Sequence, residues 1–397
     1  MVFNSLGSNY DLRFVIKSLL TFPTKTDSVR LKLFLEKKYN GKAILLYKGR
    51  EAIKLALEIS GLPKGSKVGI NGFTCYVVNQ AVVEAGYVPI YLDVGDWDLN
   101  FDIKNLEKHK DLKALIIQNT LGYPLDIVSV RSFCNKNNIL ILEDLAHSAG
   151  SIYDNKNDVG KIGDFTALSF SQDKIIDAVS GGALIVRNDK FKERLDGIVF
   201  SKLPNANRIH DKLYPLFTYK IRKLYPFTIG KVLHLVLKKL GLLSDPMGST
   251  KNIKYHVLPK WHASMAMFSL GNLDRQIKHR KEIAKIYIKN LDKKLLSLGA
   301  IQNSDLSTNI RFPIFVEGRD KLVYYLRNNG IFVSDIWYDA PVAPLKFLNK
   351  TGYKGECPKA EVDAKQILNL PTHINVSDKK AEKISALINQ WQSINQK

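Results

Sequence analysis

Short runs rich in Val, Ile and Leu recur along the middle of the chain, each closed by turn residues: KVGI (67–70), VPIYLDV (88–94), ALIIQNT (114–120), ILILEDL (139–145), FTALSFS (165–171) and GALIVRN (182–188). Between the earlier runs the apolar period lengthens to that of a helix, in YVVNQAVVEAG (76–86) and DIVSVRSFCNKNN (126–138). Continuous apolar strands alternating with helices predict an α/β fold with a mostly parallel sheet, covered by helices on both faces. Ligands of such sheets lie beyond the carboxyl ends of the strands, so the residues just after each run carry the most information.

Upstream, Asp27 and Ser28 precede VRLKLFLEKKYN (29–40), which predicts an arm followed by a helix ending before Gly41. A second helix is expected over GREAIKLALEISGL (49–62), with Gly61 as its stop. Downstream, 204–250 breaks the pattern, mixing basic, aromatic and aliphatic residues. WHASMAMFSLGNLDRQIKHRKEIAKIYIKNL (261–291) then reads as one long helix. Strand-like NIRFPIFV (309–316) and IFVSDIW (331–337) alternate with helical RDKLVYYLRNNG (319–330) and DKKAEKISALINQWQ (378–392). The expected organisation is an arm and large domain over 1–270, with an insertion at about 204–250. A linking helix and a smaller α+β domain follow over 271–397.

Composition changes this picture little. An apolar fraction of 45% and a charged fraction of 24% are ordinary for a globular protein. Three scattered cysteines, Cys75, Cys134 and Cys357, without Cys/His spacing, argue against a disulfide scaffold or a zinc site and for a reducing compartment. The N-terminus has no secretory pattern, and no apolar run approaches the roughly 20 residues that span a bilayer, so a cytoplasmic location is expected. Charge is the exception: 59 Lys+Arg against 38 Asp+Glu give +21. That field favours anionic partners, although solvating lysines alone account for much of it. No helix-turn-helix, zinc-finger or stacking motif accompanies it, which argues against nucleic acid.

The chemistry concentrates in 139–188. One strand ends in Glu143 and Asp144, His147 follows, and two further strands flank Ser169, Lys174, Gly181 and Gly182. Singly these residues are caps, turns and solvated charges. Together they supply what pyridoxal phosphate (PLP) requires: an amine, a carboxylate for the ring nitrogen, and hydroxyl and backbone donors for the phosphate.

In their order these residues resemble the DegT/DnrJ/StrS family of sugar aminotransferases, whose EDxAHxxG, GxxGDxxxFSFxxxK and GG elements match EDLAHSAG (143–150), VGKIGDFTALSFSQDK (159–174) and SGGALIVRN (180–188). The resemblance implies the PLP-dependent aspartate-aminotransferase fold, type I. In it Asp144 faces the pyridine nitrogen, His147 lies near the ring, Ser169 binds phosphate, and Lys174 carries the cofactor and shuttles the proton. Family members that act as dehydratases have His at the lysine position. YKGREAIKLAL (47–57) is similar to the family's phosphate-binding SGTxALxLAL helix, with Gly49 and Arg50 at its start; Arg50 replaces a hydroxyl residue. GFTCYVVNQAVVEAGYVPIYLDV (72–94) is similar to the segment that covers the ring with an aromatic; Cys75 or Tyr76 would do so here. CPKAEVDAKQILNLPTHINVSDKKAEKI (357–384) is similar to a small-domain segment, and Tyr338 in IWYDAP is a candidate for substrate contact, or a packed aromatic.

One segment departs. The family's GxNxRMsdxQAA, whose Asn reaches the neighbouring subunit's phosphate, corresponds to KYHVLPKWHASMA (254–266). Tyr255 and Val257 stand in place of the Asn and Arg; Asn252, Lys254 and His256 are nearby substitutes. The function the resemblance implies is amino transfer, from glutamate, to a keto-sugar, nucleotide-linked, in polysaccharide or glycan biosynthesis, by a homodimer. The alternative is a PLP-binding regulator or membrane-associated scaffold without turnover. The basic-apolar stretch 212–243, holding Pro215 and Pro226 and so not one amphipathic helix, has two readings. It lies peripherally on the inner face of an anionic membrane, or it packs on the large domain or dimer partner with its lysines in water.

Overall fold

The computed structural model describes the chain except residues 97, 155–156, 245–251 and 396–397. All six apolar runs become strands of one seven-stranded sheet. From edge to edge its strands are Lys42–Leu46, Gly182–Val186, Phe165–Ser169, Leu140–Asp144, Ala114–Ile117, Lys67–Asn71 and Val88–Leu92. Four neighbouring pairs are parallel; Gly182–Val186 runs antiparallel to both its neighbours. The central runs carry no polar alternation because both faces are covered: Ala114–Ile117 and Gly182–Val186 are buried at every position.

Helix Gly49–Ser60 packs across Gly182–Val186 and Phe165–Ser169, ending as expected at Gly61, whose φ of 69° places it in the left-handed region. Helix Lys25–Tyr39 starts earlier than the sequence suggests. Thr24 is its cap and Asp27 closes a capping box from the third helical position, while Asn40 adopts the left-handed ending. The long helix expected over 261–291 is two, Lys260–Leu270 and Leu273–Asn290, separated at Gly271 and Asn272. Residues 205–239 form a helical hairpin. Pro215 sits inside helix Asn205–Leu224 with the loss of one backbone bond, and Pro226 marks the turn into helix Ile229–Lys239. The end of that segment, 245–250, lies outside the described residues.

Two hydrophobic clusters organise the core. The larger surrounds the sheet; the smaller gathers Phe312, Ile314, Leu322, Leu326, Leu368 and Ile384. Helix Leu273–Asn290 passes from one to the other, with Leu273 and Ile277 in the first and Ile283 and Tyr287 in the second. In the smaller cluster Arg311–Phe315 pairs antiparallel with Ile367–Pro371, and helices Arg319–Asn328 and Asp378–Asn395 pack beside them. The N-terminal Val2–Phe3 joins this end of the molecule, pairing parallel with Ile331–Phe332.

Candidate active site

Strand Leu140–Asp144 ends in two carboxylates that serve opposite faces, as strand alternation requires. Glu143 is structural. Fully buried, it accepts the backbone N–H groups of Gly160, Ile162 and Gly163 at 2.6–2.7 Å and the Tyr153 hydroxyl at 3.1 Å. That fixes the 159–163 turn ahead of the next strand. Asp144 faces a cavity of about 370 Å³ and accepts the Ala146 N–H at 3.0 Å. Burial pushes its pKa up to about 6; the Ala146 bond and the Lys174 charge pull the other way.

Lys174 lies on the loop joining Phe165–Ser169 to Gly182–Val186. The loop is pinned from within. Asp177 accepts the N–H groups of Asp173 and Val179 (2.8 and 2.9 Å) and the Tyr10 hydroxyl of the N-terminal arm (2.8 Å). Asp173, at φ 60°, takes the left-handed conformation that turns the chain just before the lysine, one that Asp tolerates better than most residues. Lys174 Nζ reaches into the cavity, 3.0 Å from His147 Nε2 and 4.4 Å from the centre of the Trp337 ring. Burial lowers its pKa below the ordinary lysine value, as does Arg311, against the opposing pull of Cys75, Asp144 and Asp173.

The protonation of this pair follows from the network. His147 Nδ1 accepts the Leu121 N–H at 3.3 Å and lies 3.2 Å from the Tyr338 hydroxyl. Burial, then Lys174 and Arg311, push the imidazole well below its usual pKa, so it is neutral. With Nδ1 accepting, a neutral imidazole carries its one proton on Nε2, facing Lys174 Nζ, and burial moves the lysine toward the amine form that can accept it. Tyr338 in turn accepts from Gln118 Nε2 at 3.0 Å, and Gln118 Oε1 accepts the Thr74 hydroxyl. A continuous chain of hydrogen bonds thus runs from Thr74 to Lys174.

At the opposite wall the N-terminus of helix Gly49–Ser60 meets the end of strand Phe165–Ser169. A Cβ on Gly49 would stand 2.9 Å from Ser169 Cβ and 3.2 Å from its Oγ, so only glycine allows this approach. Gly49, Arg50, Ser169 and Lys48 line the cavity here, Lys48 Nζ donating to Ser180 Oγ at 2.9 Å.

The structure therefore brings Gly49, Arg50, Cys75, Asp144, His147, Ser169, Lys174 and Tyr338 to one cavity. Tyr76 is not among its lining residues: it opens helix Tyr76–Glu84 and packs against Phe347, ring centres 4.9 Å apart, leaving Cys75 to face inward. The sequence reading missed three participants. Gln118 directly follows strand Ala114–Ile117, where a ligand-facing residue belongs. Trp337 stacks on His147 at 5.0 Å and 17°, and Arg311 lies 3.8 Å from the centre of the Trp337 ring while pairing with Asp335 at 2.7 Å. The segment 254–257 stays outside the cavity, with Tyr255 donating to Glu58 at 2.5 Å and His256 bound to Glu51 at 3.0 Å.

The model of the DegT/DnrJ/EryC1/StrS aminotransferase family matches residues 31–389. The chain belongs to this family. The family is one of PLP-dependent aminotransferases, and the lysine-bearing cavity lies beyond the carboxyl ends of the parallel strands. Among its relatives, the pleiotropic regulatory protein of Geobacillus stearothermophilus is 23% identical over 332 residues, covering 81% of this chain and 77% of the relative. GDP-perosamine synthase of Vibrio cholerae is 22% identical over 354 residues, 86% of this chain and 84% of the relative. A Streptococcus pneumoniae chain solved in its PMP form shares the fold at a TM-score of 0.73 and 19% identity, covering 96% of each chain.

Proposed function

We propose that this aminotransferase uses pyridoxal phosphate to move an amino group from glutamate onto the ketone of a nucleotide-linked sugar. The observation that carries this reading is Lys174 Nζ, held 3.0 Å from His147 Nε2 in the cavity that also contains Asp144.

The donor set suits the cofactor. Asp144 is a buried carboxyl whose ionised form a cationic ring nitrogen would stabilise. Gly49, Arg50 and Ser169 offer a helix N-terminus, a guanidinium and a hydroxyl at one corner, a cradle for phosphate. When bound, pyridoxal phosphate supplies an electrophilic aldehyde and a ring that accepts carbanion charge. Lys174 would carry the group through Nζ and, once released by the donor, move a proton at the substrate carbon. His147 aims Nζ and holds its proton on Nε2, while Tyr338 and Gln118 keep His147 in that tautomer. Trp337 closes the site over Nζ and limits water there.

The sugar reading draws on the relatives, GDP-perosamine synthase among them. Lys48 and Lys346 on the cavity wall would suit a nucleotide's phosphates. A homodimer is part of the proposal, as is a place in the cytoplasm; among the described residues no disulfide joins the three cysteines and no helix is long and apolar enough to cross a membrane. The regulatory name of one relative, with Tyr255 and Val257 at the departing segment, supports a second reading: cofactor binding without turnover.

Incubation with pyridoxal phosphate, glutamate and keto-sugars linked to GDP, dTDP or UDP separates the two. The expected result is oxoglutarate together with a sugar in which an amino group has replaced the ketone oxygen, seen by mass. Oxoglutarate limited to one equivalent of enzyme with every sugar would favour the regulator, or another acceptor.

A further inference from the structure

The hairpin at 205–239 is mounted firmly and yet, among the described residues, leaves an apolar face uncovered. Its first helix, Asn205–Leu224, buries Asp211, Tyr214, Pro215, Thr218 and Ile221. Asp211 accepts Tyr47 Oη at 2.7 Å and Ser244 Oγ at 2.6 Å, and lies 2.9 Å from His262 Nε2. Arg222 donates to the Tyr10 carbonyl at 2.8 Å, and Tyr225 packs edge-on to Phe3 and Phe332. The second helix, Ile229–Lys239, touches the first through Gly230, where an added Cβ would stand 2.4 Å from the Ile221 carbonyl oxygen.

Only Gly230 and Leu237 of this second helix are buried. Phe227, Ile229, Val232, Leu235, Val236 and Leu240 are exposed, from 47% at Val236 to 68% at Phe227. At about 100° per residue, Ile229, Val232, Leu235, Val236 and Leu240 share one broad side of the helix, away from Leu237. Lys231 and Lys238 border that side and Lys239 lies within it; Lys220 and Lys223 are exposed on the neighbouring helix. From 212 to 244 the sequence contains no Asp or Glu. Six exposed apolar side chains amid lysines and no acid form a surface whose chemistry complements acyl chains beneath anionic headgroups.

We propose that this face docks the protein onto an anionic lipid surface, with helix Ile229–Lys239 lying in the headgroup region. A second copy of the chain is the poorer occupant. An interface about a two-fold axis would set the basic border against itself, in a molecule already carrying +21. A lipid surface neutralises the lysines and covers the apolar side at once. The proposal is independent of which sugar the enzyme aminates.

Sedimentation with vesicles tests it, using the full chain loaded with pyridoxal phosphate. The protein should pellet with equal parts phosphatidylcholine and phosphatidylglycerol, but not with phosphatidylcholine alone, and less so at high salt. Replacing Lys231, Lys238 and Lys239 by Gln should lower the partition coefficient on the order of a hundredfold. The double variant Val232→Asp/Leu235→Asp should abolish pelleting. Both variants should keep the parent's thermal transition and cofactor absorbance, because every changed side chain is exposed. Absence of pelleting with anionic vesicles overturns the proposal, as does undiminished pelleting by the variants. A solution dimer that Leu235→Asp splits into monomers would overturn it too, assigning the face to a second copy.

Discussion

Replacing Lys174 by Ala is expected to lower the rate of amino transfer by at least about 10⁴-fold while leaving the fold intact. The loss is large because one atom performs two tasks, carrying the cofactor and moving the proton, and no other amine contacts His147 Nε2 among the hydrogen bonds of the described residues. The fold should survive because the loop is held by Asp177 and the backbone around it, not by the lysine side chain. Lys174→Arg should be nearly as inactive despite keeping the charge. A guanidinium stays protonated in proteins and offers no nucleophilic lone pair. Steady-state assays beside thermal unfolding check both expectations; substantial turnover by Lys174→Ala would remove the lysine from the chemistry.

The second large effect concerns Asp144. Asp144→Asn should reduce turnover on the order of 10²–10³-fold, because an amide cannot hold a ring nitrogen in its cationic form as a buried carboxylate can. The pH dependence gives this prediction a sign. Burial pushes the Asp144 pKa up to about 6, so without the cofactor the ionised form is disfavoured in the fold. A folded pKa above the unfolded one means that this group's contribution to stability is full below the usual carboxylate range and lost as pH rises through about 6. A cationic ring nitrogen reverses the penalty. The native protein should therefore bind pyridoxal phosphate more tightly at about pH 8 than at about pH 5, and Asp144→Asn should lose much of that rise. Titration of the cofactor by absorbance, native beside variant, measures the difference.

Much of the sheet was legible because largely buried strands leave unbroken apolar runs, and six of its seven strands show such a run. The seventh, Lys42–Leu46, is an edge strand with an exposed lysine at its start and half-buried positions within it, following the preceding helix after only two residues. The break at Gly271 was hidden because the apolar period continues across it. Pairing of Val2–Phe3 with Ile331–Phe332 joins residues more than three hundred positions apart, which no local pattern records.

At the site, Lys174 and Asp144 were legible from their order along the chain. Cys75 and Tyr76 could not be separated, since adjacent residues at a strand-to-helix junction face different ways depending on where the helix begins. It begins at Tyr76, which turns that ring toward Phe347. Trp337 and Arg311 come from the C-terminal part of the chain; Trp337 meets His147, and Arg311 meets Trp337, only through tertiary packing. Gln118 carried a positional signal, its place just after a strand, that the reading did not follow to the residue.

The function proposed for this protein rests on a working amino-transfer site built on Lys174. Its most direct test is the absorption spectrum of the purified protein with pyridoxal phosphate, before and after glutamate. The expected result is a yellow protein that bleaches as glutamate is added, with oxoglutarate formed in step, and no such bleaching in Lys174→Ala. A protein that takes up no cofactor, or stays yellow with every amino donor tried, would contradict it.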